Sequence, residues 1–179
     1  ASDGIGAVAA RELHEQGANV IVSGRDPEKT KRVADEVGSP PLTADFADFS
    51  QVRRLADELA QAAPKIDVLV NNAGGMFKPK KRTTDGHEPN FQINHLSPFL
   101  LTNLLRDKLA AADGALVVNT SSIGNRFGHI DLSEVKRVDF EIINPEALGA
   151  PRGWNNGLLA RAGGRVLFVA GQTAPTGRR

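Results

Sequence analysis

The residues "SDGIG" (2–6) set two glycines at the mouth of a helical pattern. In such a turn the backbone can approach an anion closely, and the free N–H groups and helix dipole favour phosphate. Gly4 would sit against a pyrophosphate, and Gly6 would let the helix pack tightly on a sheet. A full dinucleotide fingerprint needs an earlier glycine, which would precede Ala1; without it, a plain helix-entry turn stays open. One strand-like run later come Gly24 and Arg25. An acidic residue there would pair with a ribose 2′-hydroxyl and repel a 2′-phosphate. A guanidinium can instead form charge-assisted bonds to that phosphate. The reading is NADP(H) favoured over NAD(H), against a solvated loop arginine.

The elements that must hold these groups alternate. Ile5, Val8, Ala9 and Leu13 recur at helical spacing, and Gly17 closes the run. Residues 19–24 read as a buried strand. Asp26 caps a second helix, with Pro27 at its first position, Val33 and Val37 inward and Gly38 at its end. "PLTADF" gives a strand into a turn. Ser50 is the expected cap of a third helix burying Val52, Leu55, Ala56 and Leu59. "IDVLVNNAGG" is a strand running into a polar loop. Residues from about 85 to 112 predict one long helix kinked at Pro98, and "GALVVNTSS" is the next strand. Helix–strand alternation implies an α/β fold, a Rossmann-like parallel sheet with helices on both faces.

Composition sets the outer bounds. The 179 residues are 40% hydrophobic and 24% charged, with net charge +1. This balance points to neither nucleic acid nor membrane. There is no cysteine, hence no disulfide or thiol chemistry; this fits a cytoplasmic setting. His14, His87, His95 and His129 show no metal-ligand spacing. "KPKKR" (78–82) reads as a solvated loop, and Trp154 as a packing residue.

"SDGIG", "NNAG" (71–74), "NTSS" (119–122) and Asn94 in "FQINHLSPFLLTNLL" occur in order. Together they resemble the short-chain dehydrogenase/reductase family, in its retinol-dehydrogenase-like branch, over residues 1–132. The resemblance implies that Ser2, Gly4, Ile5 and Gly6 line the pyrophosphate. Asp45 and Phe46 would flank the adenine. Asn72, Ala73 and Gly74 would meet the adenosine ribose side and support the central strand. Ser122 would orient a substrate carbonyl or alcohol, and Asn94 would hold a water in a proton relay. The partner implied is a small-molecule alcohol or carbonyl compound.

The family also uses a Tyr with a Lys four residues later as its acid–base pair. This sequence contains no Tyr. The stretch where the pair is expected holds Val135, Lys136, Phe140 and "EIINPEAL", and Lys136 reads as a solvated charge. A first strand and the later strands are also missing from the pattern. Two neighbouring strands should then lack a shared ladder partner, leaving exposed sheet edges through which the chain could associate. The N-terminus reads as a cut and the chain as poorly stable.

Residues 133–137 read as a junction and 138–179 as a separate β segment. There, runs at 157–161 and 165–170 flank Gly163 and Gly164 as a hairpin. The stretch "INPEALGAPRGWNNGLLARAGGRVLFVAGQTAPTG" resembles the N-terminal part of the Rid enamine/imine deaminases. That family's catalytic Arg has no counterpart at Arg152 or Arg165. The leading expectation is an oxidoreductase of the short-chain type, crippled in this chain by the absent pair. The alternatives are a non-catalytic nucleotide-binding or interaction protein, or a Rid-like deaminase fragment.

Overall fold

The computed structural model describes residues 1–77 and 82–122, and the backbone of 166–171. Helix α1 (Gly4–Glu15) is followed by strand β1 (Val22–Gly24), helix α2 (Pro27–Glu36) and strand β2 (Pro41–Thr43). Then come helix α3 (Phe49–Ala62), strand β3 (Val68–Asn71) and the short helix α4 (Pro89–Phe91). A π-turn (Gln92–Leu96), helices α5 (Ser97–Leu104) and α6 (Arg106–Ala110), and strands β4 (Leu116–Ser122) and β5 (Val166–Gly171) complete the order. The chain divides into two units, Ala1–Thr120 with Ala162–Val169, and Ser121–Arg161 with Ala170–Arg179.

The helices start where side chains satisfy their first N–H groups. Asp26 caps α2 by accepting from the Lys29 N–H, and Pro27 follows it, as the sequence implies. At α3 the expectation fails. Asp48, not Ser50, is the cap, and its carboxylate accepts from both the N–H and the hydroxyl of Ser50. A carboxylate there also gains from the positive end of the helix dipole, which a hydroxyl cannot match.

The predicted long helix over 85–112 is also corrected. The chain is irregular before Glu88, which caps α4, and the helical run is then interrupted by the π-turn and again at Leu105. Pro98 lies in the first turn of α5 rather than at a kink of its own. It has no N–H to return to the carbonyl of Asn94, so the regular ladder fails just upstream of it.

The pairings that define register are parallel, as expected. β1 pairs with β2 through Val22↔Pro41, Ser23↔Leu42 and Gly24↔Thr43. β3 pairs with β4 from Val68↔Leu116 to Asn71↔Asn119. They do not form one sheet: β1–β2 stands apart from β3–β4–β5, and no described strand lies between β1 and β3. Among the described residues no strand gives β1 and β3 a shared ladder partner. Ile5, Val8 and Leu13 of α1 and Val68 and Val70 of β3 are correspondingly exposed.

Two apolar clusters hold the elements. Ala7 and Ala10 of α1 meet Val22 of β1 and Val33, Ala34 and Val37 around α2. A larger cluster joins Val52, Leu55 and Ala56 of α3 to Leu101, Leu105 and Leu109 of the later helices. Leu55 and Leu105 are wholly buried there. Burying a leucine contributes about 1.5–3 kcal/mol, and the same cluster takes in Ala44 and Phe46 of the turn after β2.

Candidate functional site

Several of the predicted groups stand at or just past the carboxyl ends of the parallel strands, where ligands sit in open α/β sheets. Gly4 opens α1 with φ +53°, a conformation that side-chain-bearing residues rarely adopt, and a Cβ there would meet open space. Asp3, which the sequence reading passed over, caps this helix. Its Oδ1 accepts from the Gly4 N–H at 2.8 Å and its Oδ2 accepts from Lys29 Nζ at 2.7 Å. The Lys29 bond, with that of Gly4, holds the Asp3 carboxyl below its ordinary range. An Asp directly before a helical run is a cap signal that could have identified it.

Close approach joins the turn to the strand ends. A Cβ on Gly6 would lie 2.8 Å from Asn72 Nδ2 and 3.1 Å from the Ala1 Cα. On Gly24 it would collide with Thr30 Oγ1 and lie 2.7 Å from Ser2 Oγ. The amino group of Ala1 donates to the Ser23 carbonyl. On its other side, Asn72 Oδ1 accepts from Thr120 Oγ1 at 3.1 Å. Ser2, Gly6, Gly24 and Asn72 are thus brought into one neighbourhood. Arg25 follows Gly24 directly and is exposed, with no ion pair to any described residue. Ile5 points outward, 72% exposed.

Polar locks set the strand ends. Asn71 Nδ2 donates to Asn119 Oδ1 at 2.8 Å and to Thr102 Oγ1 at 3.0 Å, which ties β3 to β4 and to α5. Asn94 bonds Gly75 twice at 2.9 Å, its Oδ1 accepting from the N–H and its Nδ2 donating to the carbonyl. Its Oδ1 also lies 3.0 Å from where a Cβ of Gly74 would stand. Ala73 and Gly74 are exposed between these anchors. π-turns of this kind are enriched at functional sites.

Asp45 and Phe46 follow β2 and belong to a different network. The Asp45 N–H donates to Gln51 Oε1 and its carboxylate accepts from the Ala47 N–H, both at 2.9 Å. The Phe46 carbonyl accepts from Ser97 Oγ at 2.6 Å. Ser122 is exposed at the end of β4. Lys136, His129 and the first run of the expected hairpin lie outside the described residues, while β5 falls on the second run. No described helix is long and apolar enough to cross a membrane.

Residues 1–133 match the short chain dehydrogenase family. The chain is 45% identical over 137 residues to a protein of Streptomyces sp. (strain C5) that carries the name daunorubicin C-13 ketoreductase DnrU. That alignment covers 73% of this chain and 47% of the relative. Against human retinol dehydrogenase 13, identity is 38% over 142 residues, covering 75% of this chain and 43% of the relative. The chain therefore spans less than half of either relative. A crystal structure of a metagenomic short-chain oxidoreductase in complex with NADP superposes with TM-score 0.59 at 29% identity. It covers 68% of this chain and 59% of that one. The family match stops at residue 133, and the resemblance of the tail to Rid deaminases gains no support from these comparisons.

Proposed function

This chain belongs to the short-chain dehydrogenase family, and we propose that it forms the dinucleotide-binding part of an NADP(H)-dependent oxidoreductase acting on a small-molecule alcohol or carbonyl compound. The observation that carries the reading is the junction of Gly6 with Asn72 and of Gly24 with Ser2. Both glycines stand where any side chain would collide: Gly24 ends β1, and Gly6, in the first turn of α1, faces Asn72 just past β3 of the other sheet. The space where a Gly4 side chain would stand is open. Such a cradle fits a pyrophosphate.

Bound there, the nicotinamide cofactor would supply or accept a hydride. The chain's own residues would do the rest. The α1 turn would neutralise the pyrophosphate with N–H groups, and Arg25 would pair with a 2′-phosphate. Asn72 to Gly74 would border the ribose, with Asn72 held by Thr120. Ser122 would donate a hydrogen bond to the substrate oxygen. Asn94, fixed by Gly75, would hold a water for a proton relay. General acid–base help is worth about 10²–10⁴-fold, and the family draws it from a Tyr. With no Tyr in the sequence, we expect nucleotide binding to outlast turnover.

Thermal unfolding with and without NADPH tests this. Ligand at 100 times Kd stabilises by about 2.7 kcal/mol, which a melting curve resolves. NADPH should raise Tm more than NADH does, with carbonyl-dependent NADPH oxidation slow or absent. A chain whose Tm ignores both nucleotides is not a dinucleotide-binding unit.

A further inference from the structure

Gln92 carries an amide yet has no exposed surface, and the same holds for the hydroxyl-bearing Ser97 five residues on. They bracket the π-turn and converge on one backbone oxygen, the carbonyl of Phe46. Ser97 Oγ donates to it at 2.6 Å and Gln92 Nε2 at 3.3 Å. A carbonyl has two lone pairs, so both are engaged. Gln92 Nε2 also donates to Asp85 Oδ2 at 2.6 Å, and its Oε1 accepts from Thr83 Oγ1. Asp85 Oδ2 in turn accepts from the Phe49 N–H at the start of α3. Every polar atom of the Gln92 side chain has a partner. A leucine would fill such a core position without these bonds, whereas a satisfied buried network fixes one geometry.

What that geometry fixes is the turn after β2. Gln51 holds the Asp45 N–H, Asp45 holds the Ala47 N–H, and Gln92 with Ser97 holds the Phe46 carbonyl. We propose that Gln92, together with Ser97, is a positioning residue for the adenine end of the nucleotide site. It acts by holding the Asp45–Phe46 turn at the carboxylate placement that reads the adenine edge. This assignment rests on the dinucleotide reading above. It makes the turn after β2, the start of α3 and the residues leading into α4 one connected body.

The experiment uses the full chain and its Gln92→Leu and Ser97→Ala variants, each checked for folding by circular dichroism. Affinity is measured for NADPH and for its hypoxanthine analogue, in which a carbonyl replaces the adenine amine that a carboxylate can accept from. Gln92→Leu should weaken NADPH about tenfold, the effect of losing a hydrogen bond to a positioned group, while the hypoxanthine analogue changes much less. Ser97→Ala should act in the same direction. The double variant should fall short of the product of the single effects, because the two side chains share one acceptor. Equal loss for both nucleotides, or no loss, in a folded variant overturns the assignment. Should Gln92→Leu not fold, Ser97→Ala decides by the same comparison. A wild-type chain that binds neither nucleotide removes the dinucleotide reading and this assignment together; wild-type binding with an unchanged nucleotide preference in the variants removes the assignment alone.

Discussion

The space in which Gly6 would carry a side chain is already taken by the amide of Asn72, 2.8 Å from the ideal Cβ position. Helix α1 and the end of β3 are therefore in contact through the absence of an atom. Gly6→Ala should press on the Asn72 amide that Thr120 bonds, and the new methyl has no room on its other side, because the Ala1 Cα lies 3.1 Å from the same Cβ position. Overpacking of this kind costs about 1–3 kcal/mol. Urea unfolding should show that loss, together with weaker NADPH binding.

Arg25 follows the glycine that meets Ser2 and has no described ion-pair partner to give up. Arg25→Glu should lower NADPH affinity by about 10- to 100-fold, the worth of a charge-assisted contact. NADH affinity should hold or rise, since a carboxylate can accept from the free 2′-hydroxyl. Isothermal titration with each nucleotide reads the difference; parallel losses would place Arg25 away from the ribose.

Leu55 is wholly buried among the residues that join α3 to α5 and α6. Leu55→Ala should cost about 2–5 kcal/mol. The denaturant midpoint should fall without a change in the m-value if the unfolded state is unaffected.

Two helix caps make stability acid-sensitive. The Asp48 carboxyl is held below its ordinary range by the hydroxyl of Ser50 and the side chain of Gln51, and that of Asp3 by Lys29 and the Gly4 N–H. In each case the folded pKa lies below the unfolded value of about 3.9. The contribution is fully present above that value and is lost as pH falls through the lower folded one. Asp48→Asn keeps a capping side chain that does not titrate. Its melting temperature should therefore decline less steeply than the parent's between about pH 4 and pH 2.

Local chemistry decided which parts of the structure were legible in advance. Asp26, Pro27 and Gly38 bound α2 from positions adjacent in sequence, and the structure uses each of them. Asp48 and Ser50 are both capping types two residues apart, and sequence alone does not rank them. The apolar residues from 93 to 109 continue at near-helical spacing through the π-turn and the break at Leu105, so periodicity reads one helix where there are several pieces. Asn72 and Asn94 stood in recognisable surroundings. Gln92 did not, because its partners Phe46 and Asp85 are fixed by tertiary folding, and a buried glutamine has no periodic signature.

The division between β1–β2 and β3–β4–β5 has a mechanical consequence. Ladder bonds lock neighbouring strands at one offset, whereas apolar burial has no preferred offset along its own surface. Leu42 of β2, Leu69 of β3 and Val117 of β4 all rest on the α3-centred cluster, so the halves adhere through apolar burial where the described strands share no ladder. Directional bonds between the halves come from the turn after β2, where the Phe46 carbonyl accepts from Ser97 Oγ and Gln92 Nε2, while Gly6 abuts Asn72 at the strand tips. A rod-shaped ligand laid over those tips would act as a splint, bridging two sheets that share no described ladder.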